Sequence, residues 1–447
     1  MSKSLLRAAV LVTTIALIPT ATATMAAADA GNVNTYRELD QFMNVLRTVR
    51  ADYVDQVDDK KLIEGAINGM LESLDPHSNY LDVRDFQNLK TQTDGSYGGL
   101  GLTVQMEDGA VKVVTPTEDT PAYRAGIKSG DYITNLDGVL IYGGSLDEAV
   151  DKMRGSPGTK IKLTIVRPGR DKPFDVTLTR EIIQIKPVKW SVNGRVGIIN
   201  INSFSKATGQ GVRDGIAAID KQLGGRPLGY VVDLRSNPGG LLDQAIEVSD
   251  AFLTHGEIVS QRGREKTDID RYYATRKTID FAHGLPVVVL VDSGTASAAE
   301  IVAGALQDQR RGLVIGERSF GKGSVQTLVP LTDDTALRLT TARYYTPSGR
   351  SVQEGGIQPD ILVPQLSDTD YKDRPRLREA DLRRHLINQA KVDDSLLEDD
   401  GKTDPRFAQT AAVLEKAGVK DFQLDYAIKM ISRLGPPVPQ TKTAAAR

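Results

Sequence analysis

The chain has 447 residues, of which 40% are hydrophobic and 26% are charged. This length predicts about three domains, and the composition is typical of folded soluble protein rather than of a disordered or polytopic membrane chain. The formal net charge of −2 supplies no field to attract nucleic acid. Cysteine is absent and there are four widely spaced histidines, which excludes disulfides, thiolate nucleophiles, Cys-ligated zinc and paired-histidine metal motifs.

The first 28 residues have the layout of a secretory signal peptide. Lys3 and Arg7 precede the apolar run 8–19, and small residues follow at two candidate cleavage sites, 21–23 and 26–28. The run is shorter than the about 20 apolar residues of a membrane span, so an uncleaved anchor is the less favoured alternative. Export of a chain without cysteine indicates the bacterial periplasm, where the protein is free or membrane-associated.

Residues 33–90 form a predicted N-terminal helical region. Apolar residues between Tyr36 and Tyr53 recur at helical spacing, and a second helical pattern covers 61–74. Proline and small polar residues then mark a turn at 75–81. We expect His77, within this turn, to have a structural rather than a catalytic role.

Residues 97–168 change character and predict a small β-rich module with two short helices. A glycine-rich loop, 99–102, leads into a strand rather than a helix, which excludes a dinucleotide-binding loop. Free N–H groups in such a loop can hold a carboxylate while the strand pairs with a peptide. The GLGL sequence at 99–102 and the AGIKSGD sequence at 125–131 resemble a PDZ domain, which implies peptide binding by Gly99, Leu100, Gly101 and Leu102.

Residues 180–363 follow a strand, turn, helix rhythm that predicts an α/β core. Its predicted strands and helices alternate, at 196–200, 211–223, 229–234, 241–253, 286–291 and 295–307. Beyond it we predict a peripheral helical region at 371–434 and a disordered tail at 435–447.

Ser297 lies between a predicted buried strand and a predicted helix. Backbone N–H groups point outward at a helix N-terminus and favour negative charge, so an oxyanion could be stabilised there. The alternative is structural, because Ser297 followed by Glu300 also fits a capping box.

Lys322 lies between two glycines and is followed by an apolar, strand-like run. Desolvation would lower the pKa of its amine, and a neutral lysine can deprotonate a serine. Gln326, four residues later, could hold the amine in place. The same stretch fits GxxxxGK, but Gly323 stands where a Walker A loop needs Ser or Thr, and no helix is predicted to follow.

Five motifs, in order along the chain, resemble the carboxyl-terminal processing protease (tail-specific protease) family. They are LDPHSNYL at 74–81, DLRSNPGG at 233–240, SGTASAAE at 293–300, FGKGSVQ at 320–326 and YTPSGRSVQEGGIQPD at 345–360. The resemblance covers about residues 36–363. It implies an α/β core of the crotonase and Clp-protease type, with an inserted PDZ domain and helical segments at both ends.

The resemblance also implies a secreted or periplasmic serine endopeptidase that recognises protein C-termini and cleaves nearby. Ser297 would be the nucleophile, Lys322 the general base and Gln326 the residue that orients the lysine. The N–H groups of Gly239 and Ala298 would form the oxyanion hole, and no metal or cofactor is needed.

The implied partners are cell-envelope proteins with apolar C-terminal tails and, in some family members, a helical-repeat lipoprotein adaptor. Self-association through the terminal helices is also implied. The alternative function is a PDZ scaffold that binds tails without cutting them. The joint presence of Ser297, Lys322 and Gln326 favours the enzyme.

Overall fold

The computed structural model describes residues 21–225, 227–275, 279–371, 373–374, 376–388, 405–407 and 409–435. Most of the predicted signal peptide and nearly all of the predicted tail fall outside these residues. The chain divides into two compact units, one ending at Met70 and the other beginning at Leu71.

Two helices occupy the first part of the chain: α1 (Ala21–Asp52) and α2 (Asp59–Glu72). They confirm the two helices that the apolar spacing predicts. Several large apolar side chains of α1 are exposed, among them Tyr36, Leu39, Phe42 and Met43. Within the described residues, no helix combines the length and the apolar character needed to cross a membrane.

The second unit begins with strand β1 (Asn79–Leu81) and helix α3 (Val83–Asp94). A small module follows, with strands β2 (Ser96–Gly99), β3 (Leu102–Glu107), β4 (Ala110–Pro116), β5 (Tyr132–Leu136), β6 (Val139–Leu140), β7 (Lys160–Val166), β8 (Phe174–Thr179) and β9 (Glu181–Gln184). Its helices are α4 (Pro121–Arg124) and α5 (Leu146–Met153).

The module is an antiparallel sheet around its own apolar core. The strand order is β3-β4-β5-β7-β8, with β6 on β5, while β2 and β9 pair as a separate ribbon. Period-two alternation buries Ile161, Leu163 and Ile165 of β7. The sheet continues past residue 168 to Thr179, because β8 pairs with residues 160–165 of β7.

The remaining strands belong to the predicted α/β core. They are β10 (Val188–Asn193), β11 (Val196–Ile201), β12 (Gly229–Asp233), β13 (Glu257–Arg262), β14 (Ile269–Tyr273), β15 (Val287–Val291), β16 (Leu313–Gly316), β17 (Ser324–Pro330), β18 (Ala336–Tyr345) and β19 (Ile361–Leu362). One sheet has the order β10-β11-β12-β15-β16-β19 and is parallel except for β10. The other has the order β1-β18-β13-β14, with β17 on β18.

Helices cover both faces of the mostly parallel sheet. On one face lie α6 (Thr208–Gln222), α7 (Leu242–Asp250) and α8 (Ala298–Asp308), which share the main apolar core. On the other lie α9 (Ala411–Lys416) and α10 (Phe422–Leu434). All residues of β12 and β15 are buried, as expected for central parallel strands. The predicted α/β class is confirmed.

The C-terminal helix α10 is less peripheral than the sequence indicates. Its buried residues Phe422, Ala427 and Ile431 belong to the same apolar cluster as Val231 and Leu290 of the central strands. The helix therefore forms one of the two layers that enclose the sheet.

The strand register determines where the functional loops meet. Strands β12 and β15 run parallel, with Asp233 paired to Leu290 near their carboxyl ends. The turns that follow these two strands, which carry the DLRSNPGG and SGTASAAE motifs, therefore emerge side by side at one edge of the sheet.

Candidate active site

Ser297 lies on a strained turn between β15 and α8. Its φ of 54° and ψ of −116° are unusual for a residue other than glycine. Neighbouring bonds hold the turn: Thr295 Oγ1 donates to the Leu234 carbonyl at 2.9 Å, and Ala296 N–H donates to the Asn237 carbonyl at 2.9 Å. Such strain between a strand and a helix is typical of turns that carry a nucleophile.

Glu300 joins the serine turn to the lysine loop. Its carboxylate is fully buried, and its Oε2 accepts from the N–H of Ser297 at 2.7 Å and from the N–H of Lys322 at 2.9 Å. Its Oε1 accepts from Gly321 N–H at 2.7 Å and from Ser319 Oγ at 2.5 Å. One carboxylate oxygen thus binds the backbone of both predicted dyad residues.

Burial raises the pKa of Glu300 to about 7, although the four donors favour the charged form. The sequence identified Glu300 only as a helix cap. The Ser297 N–H bond agrees with that interpretation, but the bonds to residues 319–322 had no local sequence signal.

Lys322 has a lowered pKa, because its side chain is largely buried and the positive charge of Arg338 lies nearby. The carboxylates of Glu379, Glu300 and Asp75 oppose this shift without reversing it. Among the described residues, Lys322 Nζ makes no hydrogen bond and no ion pair. These properties favour a neutral amine.

The glycines beside Lys322 permit close backbone packing. A Cβ on Gly321 would lie 2.7 Å from the carbonyl oxygen of Glu354, and one on Gly323 would lie 2.4 Å from the amide nitrogen of Gln353. Larger residues would push the loop away from this segment. The following residues form β17 and not a helix, as expected once the Walker A interpretation is excluded.

Gln326 lies on β17 beside a β-bulge in the pairing with β18. Its Nε2 donates to Ser324 Oγ at 2.8 Å and to Thr340 Oγ1 at 3.4 Å. In the described part of the chain, no hydrogen bond joins Gln326 to Lys322, or Ser297 Oγ to Lys322 Nζ. Catalytic hydrogen bonds are often long before substrate binds, and the orienting role of Gln326 stays a prediction.

The turn at Gly239 lies directly against Ser297. A Cβ on Gly239, whose φ is 96°, would lie 2.8 Å from Ser297 Cβ and 2.9 Å from the Ala298 nitrogen. The two predicted oxyanion residues are therefore neighbours. In this conformation Gly239 N–H donates to Asn237 Oδ1 at 2.8 Å, and its oxyanion role stays a prediction.

The LDPHSNYL turn lies beside β18. Asp75 is buried and accepts from the N–H groups of His77 and Ser78 and from Thr340 Oγ1, at 2.8 to 3.1 Å. His77 Nε2 pairs with the buried Glu379 at 2.8 Å. The histidine therefore has a buried carboxylate partner, and its structural role stays a prediction.

The predicted peptide-binding residues Gly99, Leu100, Gly101 and Leu102 lie in the small module, apart from the serine and lysine loops. The Leu100 carbonyl accepts from Ala122 N–H at 3.0 Å, and the Gly101 carbonyl accepts from Thr117 N–H at 2.8 Å. The described residues contain no cluster of three or more His, Cys, Asp or Glu that could bind a metal.

Three protein families match parts of this chain. Peptidase family S41 matches residues 195–363, a PDZ domain matches 98–178, and the activating protease CtpB N-terminal domain matches 13–84. The S41 match contains every residue predicted to take part in catalysis.

Close relatives extend the similarity to most of the chain. The carboxy-terminal-processing protease of Bartonella bacilliformis is 48% identical over 400 residues, which cover 89% of each chain. The carboxy-terminal processing protease CtpA of Bacillus subtilis is 35% identical over 75% of this chain and 72% of its own. Among solved structures, the photosystem II D1 C-terminal processing protease is 30% identical over 72% of this chain and 92% of its own, with a TM-score of 0.42.

The serine turn, the lysine loop and the small PDZ-like module thus occur together with similarity to named proteases over nearly the whole chain. The protein is a serine peptidase with a PDZ domain, and it belongs to the carboxy-terminal processing protease family of S41 peptidases.

Proposed function

We propose that this protease is exported and cleaves its substrates with a Ser-Lys dyad formed by Ser297 and Lys322. The observation that carries the proposal is the Glu300 Oε2 bridge between the N–H groups of these two residues. Because one carboxylate oxygen accepts from both N–H groups, the backbones of Ser297 and Lys322 lie close together. The lowered pKa of Lys322 supports a neutral amine that can accept the serine proton.

In the proposed reaction, Lys322 Nζ takes the proton of Ser297 Oγ while Oγ bonds to the scissile carbonyl carbon. The N–H of Ala298 and the turn at Gly239 stabilise the resulting oxyanion. The C–N bond then breaks, and Lys322 returns the proton to the leaving amine. Water attacks the acyl-enzyme by the same route, with Lys322 as base, and releases Ser297.

We propose that the PDZ loop binds the carboxylate of substrate C-termini. Among the described residues, the N–H groups of Leu100 and Gly101 donate to no acceptor, whereas their carbonyls are bound within the module. Strand β3 is at the end of its sheet, and no described strand pairs with its outer edge. Open donors beside an edge strand suit an extended C-terminal tail, and the apolar tails implied by the resemblance are the proposed ligands.

The proposal also includes a periplasmic location and self-association of the chain. The signal-peptide pattern within residues 1–28 supports the periplasm, where cell-envelope proteins would be the substrates. The exposed apolar residues of α1, among them Tyr36, Leu39 and Phe42, support self-association through the N-terminal helices. The helical-repeat lipoprotein adaptor rests on the family resemblance alone.

The test is cleavage of an unstructured protein with an apolar C-terminal tail by the mature chain and by Ser297→Ala and Lys322→Ala. Each variant is expected to lose at least about a thousandfold in kcat/KM, because nucleophile and base act as one unit. Lys206→Ala is the matched control, since Lys206 is an exposed lysine paired with Asp94. Full activity of Ser297→Ala or of Lys322→Ala would contradict the dyad.

A further inference from the structure

Arg235, within the DLRSNPGG turn, links that turn to the C-terminal helix. Its guanidinium donates to both oxygens of Asp233, at 2.8 and 2.7 Å. It also donates to both oxygens of Asp421, at 2.9 and 2.8 Å, and to Gln423 Oε1 at 3.1 Å. Planar, paired contacts of this kind fix the direction of an arginine side chain as well as its position.

Asp421 is itself held in place by the helix that it precedes. It is the N-cap of α10, with its Oδ1 accepting from Leu424 N–H at 3.1 Å. Gln365 Nε2 donates to the same oxygen at 2.8 Å. Because α10 packs against the central strands through Phe422 and Ile431, the carboxylate of Asp421 has a position set by the apolar core.

The electrostatics agree with this geometry. The Asp421 side chain is one-third exposed, and that of Arg235 is 14% exposed. Burial alone would raise the pKa of Asp421, but the hydrogen bond and charge of Arg235 hold it below its usual value. Asp421 is therefore ionised when it binds the arginine.

The segment after Arg235 reaches the nucleophile in a few residues. Ser236, at a φ of 54°, donates its N–H to Asp292 Oδ1 at 2.8 Å. The carbonyl of Asn237 accepts from Ala296 N–H at 2.9 Å, and Gly239 lies against Ser297. A shift at Arg235 would therefore move the turn that contacts Ser297.

There is space for such a shift. A polar cavity of about 590 Å³ lies beside Arg235, and its lining includes Asp292, which bonds to Ser236, together with Gln365 and Asp421. Without Asp421, the guanidinium has room to turn into this cavity, and the turn then loses one of its fixed ends.

We propose that Asp421 is a positioning residue of the active site, which acts through Arg235 to hold the 236–239 turn against Ser297. The segment from Asp421 to the end of α10, outside the S41 match at 195–363, is then part of the working peptidase. The proposal rests on the proposed roles of Ser297 and of the Gly239 turn.

A merely structural role for Asp421 would be that of a helix cap. Asp421→Asn and Asp421→Ser both keep a side chain that caps helices well, but neither provides a charged, bidentate partner for Arg235. Asp82→Asn is the matched control, because Asp82 caps α3 through Asp85 N–H at 2.8 Å and no arginine binds it among the described residues.

The experiment measures kcat and KM with a tail-bearing substrate and the Tm of each variant. It also measures the affinity of a peptide boronic acid, which forms a tetrahedral adduct with serine. Asp421→Asn and Asp421→Ser are each expected to lower kcat about tenfold, to leave KM within about twofold, and to weaken boronate binding by the same factor as kcat/KM. Asp82→Asn should keep kcat, KM and boronate affinity within about twofold of the wild type. A second measurement is a double-mutant cycle of Asp421→Asn and Arg235→Gln. The effects of the two substitutions on kcat should not add.

A Tm decrease with kcat within twofold of the wild type would overturn the proposal, and so would a change confined to KM. Activity of Ser297→Ala would instead overturn the proposed function itself. An inactive Ser297→Ala together with a fully active Asp421→Asn would overturn only the role of Asp421.

Discussion

The peptidase core and the PDZ module stabilise their functional loops in opposite ways. In the core, the loops are held by buried polar groups with several partners each, such as Glu300 and Arg235. In the PDZ module, the strands pack around an apolar cluster. The loop at Leu100 and Gly101 keeps N–H groups that donate to no acceptor among the described residues.

The difference agrees with the role that we propose for each region. A catalytic site has to hold its groups in the reacting geometry before substrate arrives, so its backbone is bonded in many directions and tolerates strain at Ser297. A binding loop needs open donors that a ligand carboxylate can satisfy. Substitutions in the core should therefore change kcat, whereas substitutions in the PDZ loop should change KM.

The largest effect is expected from substitution of Lys322. If that substitution left kcat unchanged, the difference between the peptidase core and the PDZ module would not hold. The amine has to be neutral to accept a proton, and its pKa lies below the ordinary value because of burial and Arg338. kcat/KM should therefore rise with pH as Lys322 deprotonates, and should level off above this lowered pKa. Lys322→Arg should lose at least about a thousandfold at every pH, because arginine stays protonated.

The control for this series is Lys206→Arg, because Lys206 is an exposed lysine in the turn before α6 and pairs with Asp94. Its pH profile should match that of the wild type. A Lys322→Arg variant with the wild-type profile would show that another group is the base.

Glu300→Gln should have the next largest effect. The amide replaces one carboxylate oxygen with an NH₂ donor, which then faces N–H donors of Ser297 and Lys322 or of Gly321. We expect kcat to fall about 10- to 100-fold with little change in KM, and the free energy of unfolding to fall by about 1–3 kcal/mol. Steady-state kinetics and thermal unfolding measure the two effects.

Gln307→Ala provides the comparison on the same helix, since Gln307 bonds to the Gln358 carbonyl away from the serine turn. It should leave kcat within about twofold. If Glu300→Gln also left kcat unchanged, Glu300 would be only a helix cap, and the bridge would have no role in catalysis.

Gly101→Ala should have the smallest effect and should act on KM. The φ of Gly101 is 77°, and a Cβ there would lie 2.3 Å from Thr120 Cβ, so the loop has to move. We expect KM for a tail-bearing substrate to rise about tenfold with kcat unchanged, because the N–H groups proposed to bind the substrate carboxylate shift. Amidation of the substrate C-terminus should give the same change with the wild-type enzyme.

Gly126→Ala separates the clash from backbone strain. Gly126 has a φ of 75° in the same module, but no atom lies within 4 Å of a Cβ there. It should leave KM close to the wild-type value. Equal KM values for the two variants would remove the carboxylate-binding role from the 99–102 loop.

The sequence predicted much of the fold because its signals are local. Helical spacing between Tyr36 and Tyr53 predicted α1, and continuous apolar runs predicted the central strands β12 and β15. Ser297 and Lys322 could likewise be proposed from local sequence, because one lies at a strand-to-helix junction and the other lies between two glycines. Fold class, module order and the candidates Ser297 and Lys322 were therefore determined by the sequence itself.

The tertiary structure decided which polar groups hold the site together. Glu300 reaches Lys322 across 22 residues, and Arg235 reaches Asp421 across 186 residues. Neither bond has a spacing or a periodicity that a single sequence displays, because hydrogen bonds between distant segments depend on how the sheet and its helices pack. The same packing made α10 a layer of the core, although its sequence indicated a peripheral helix.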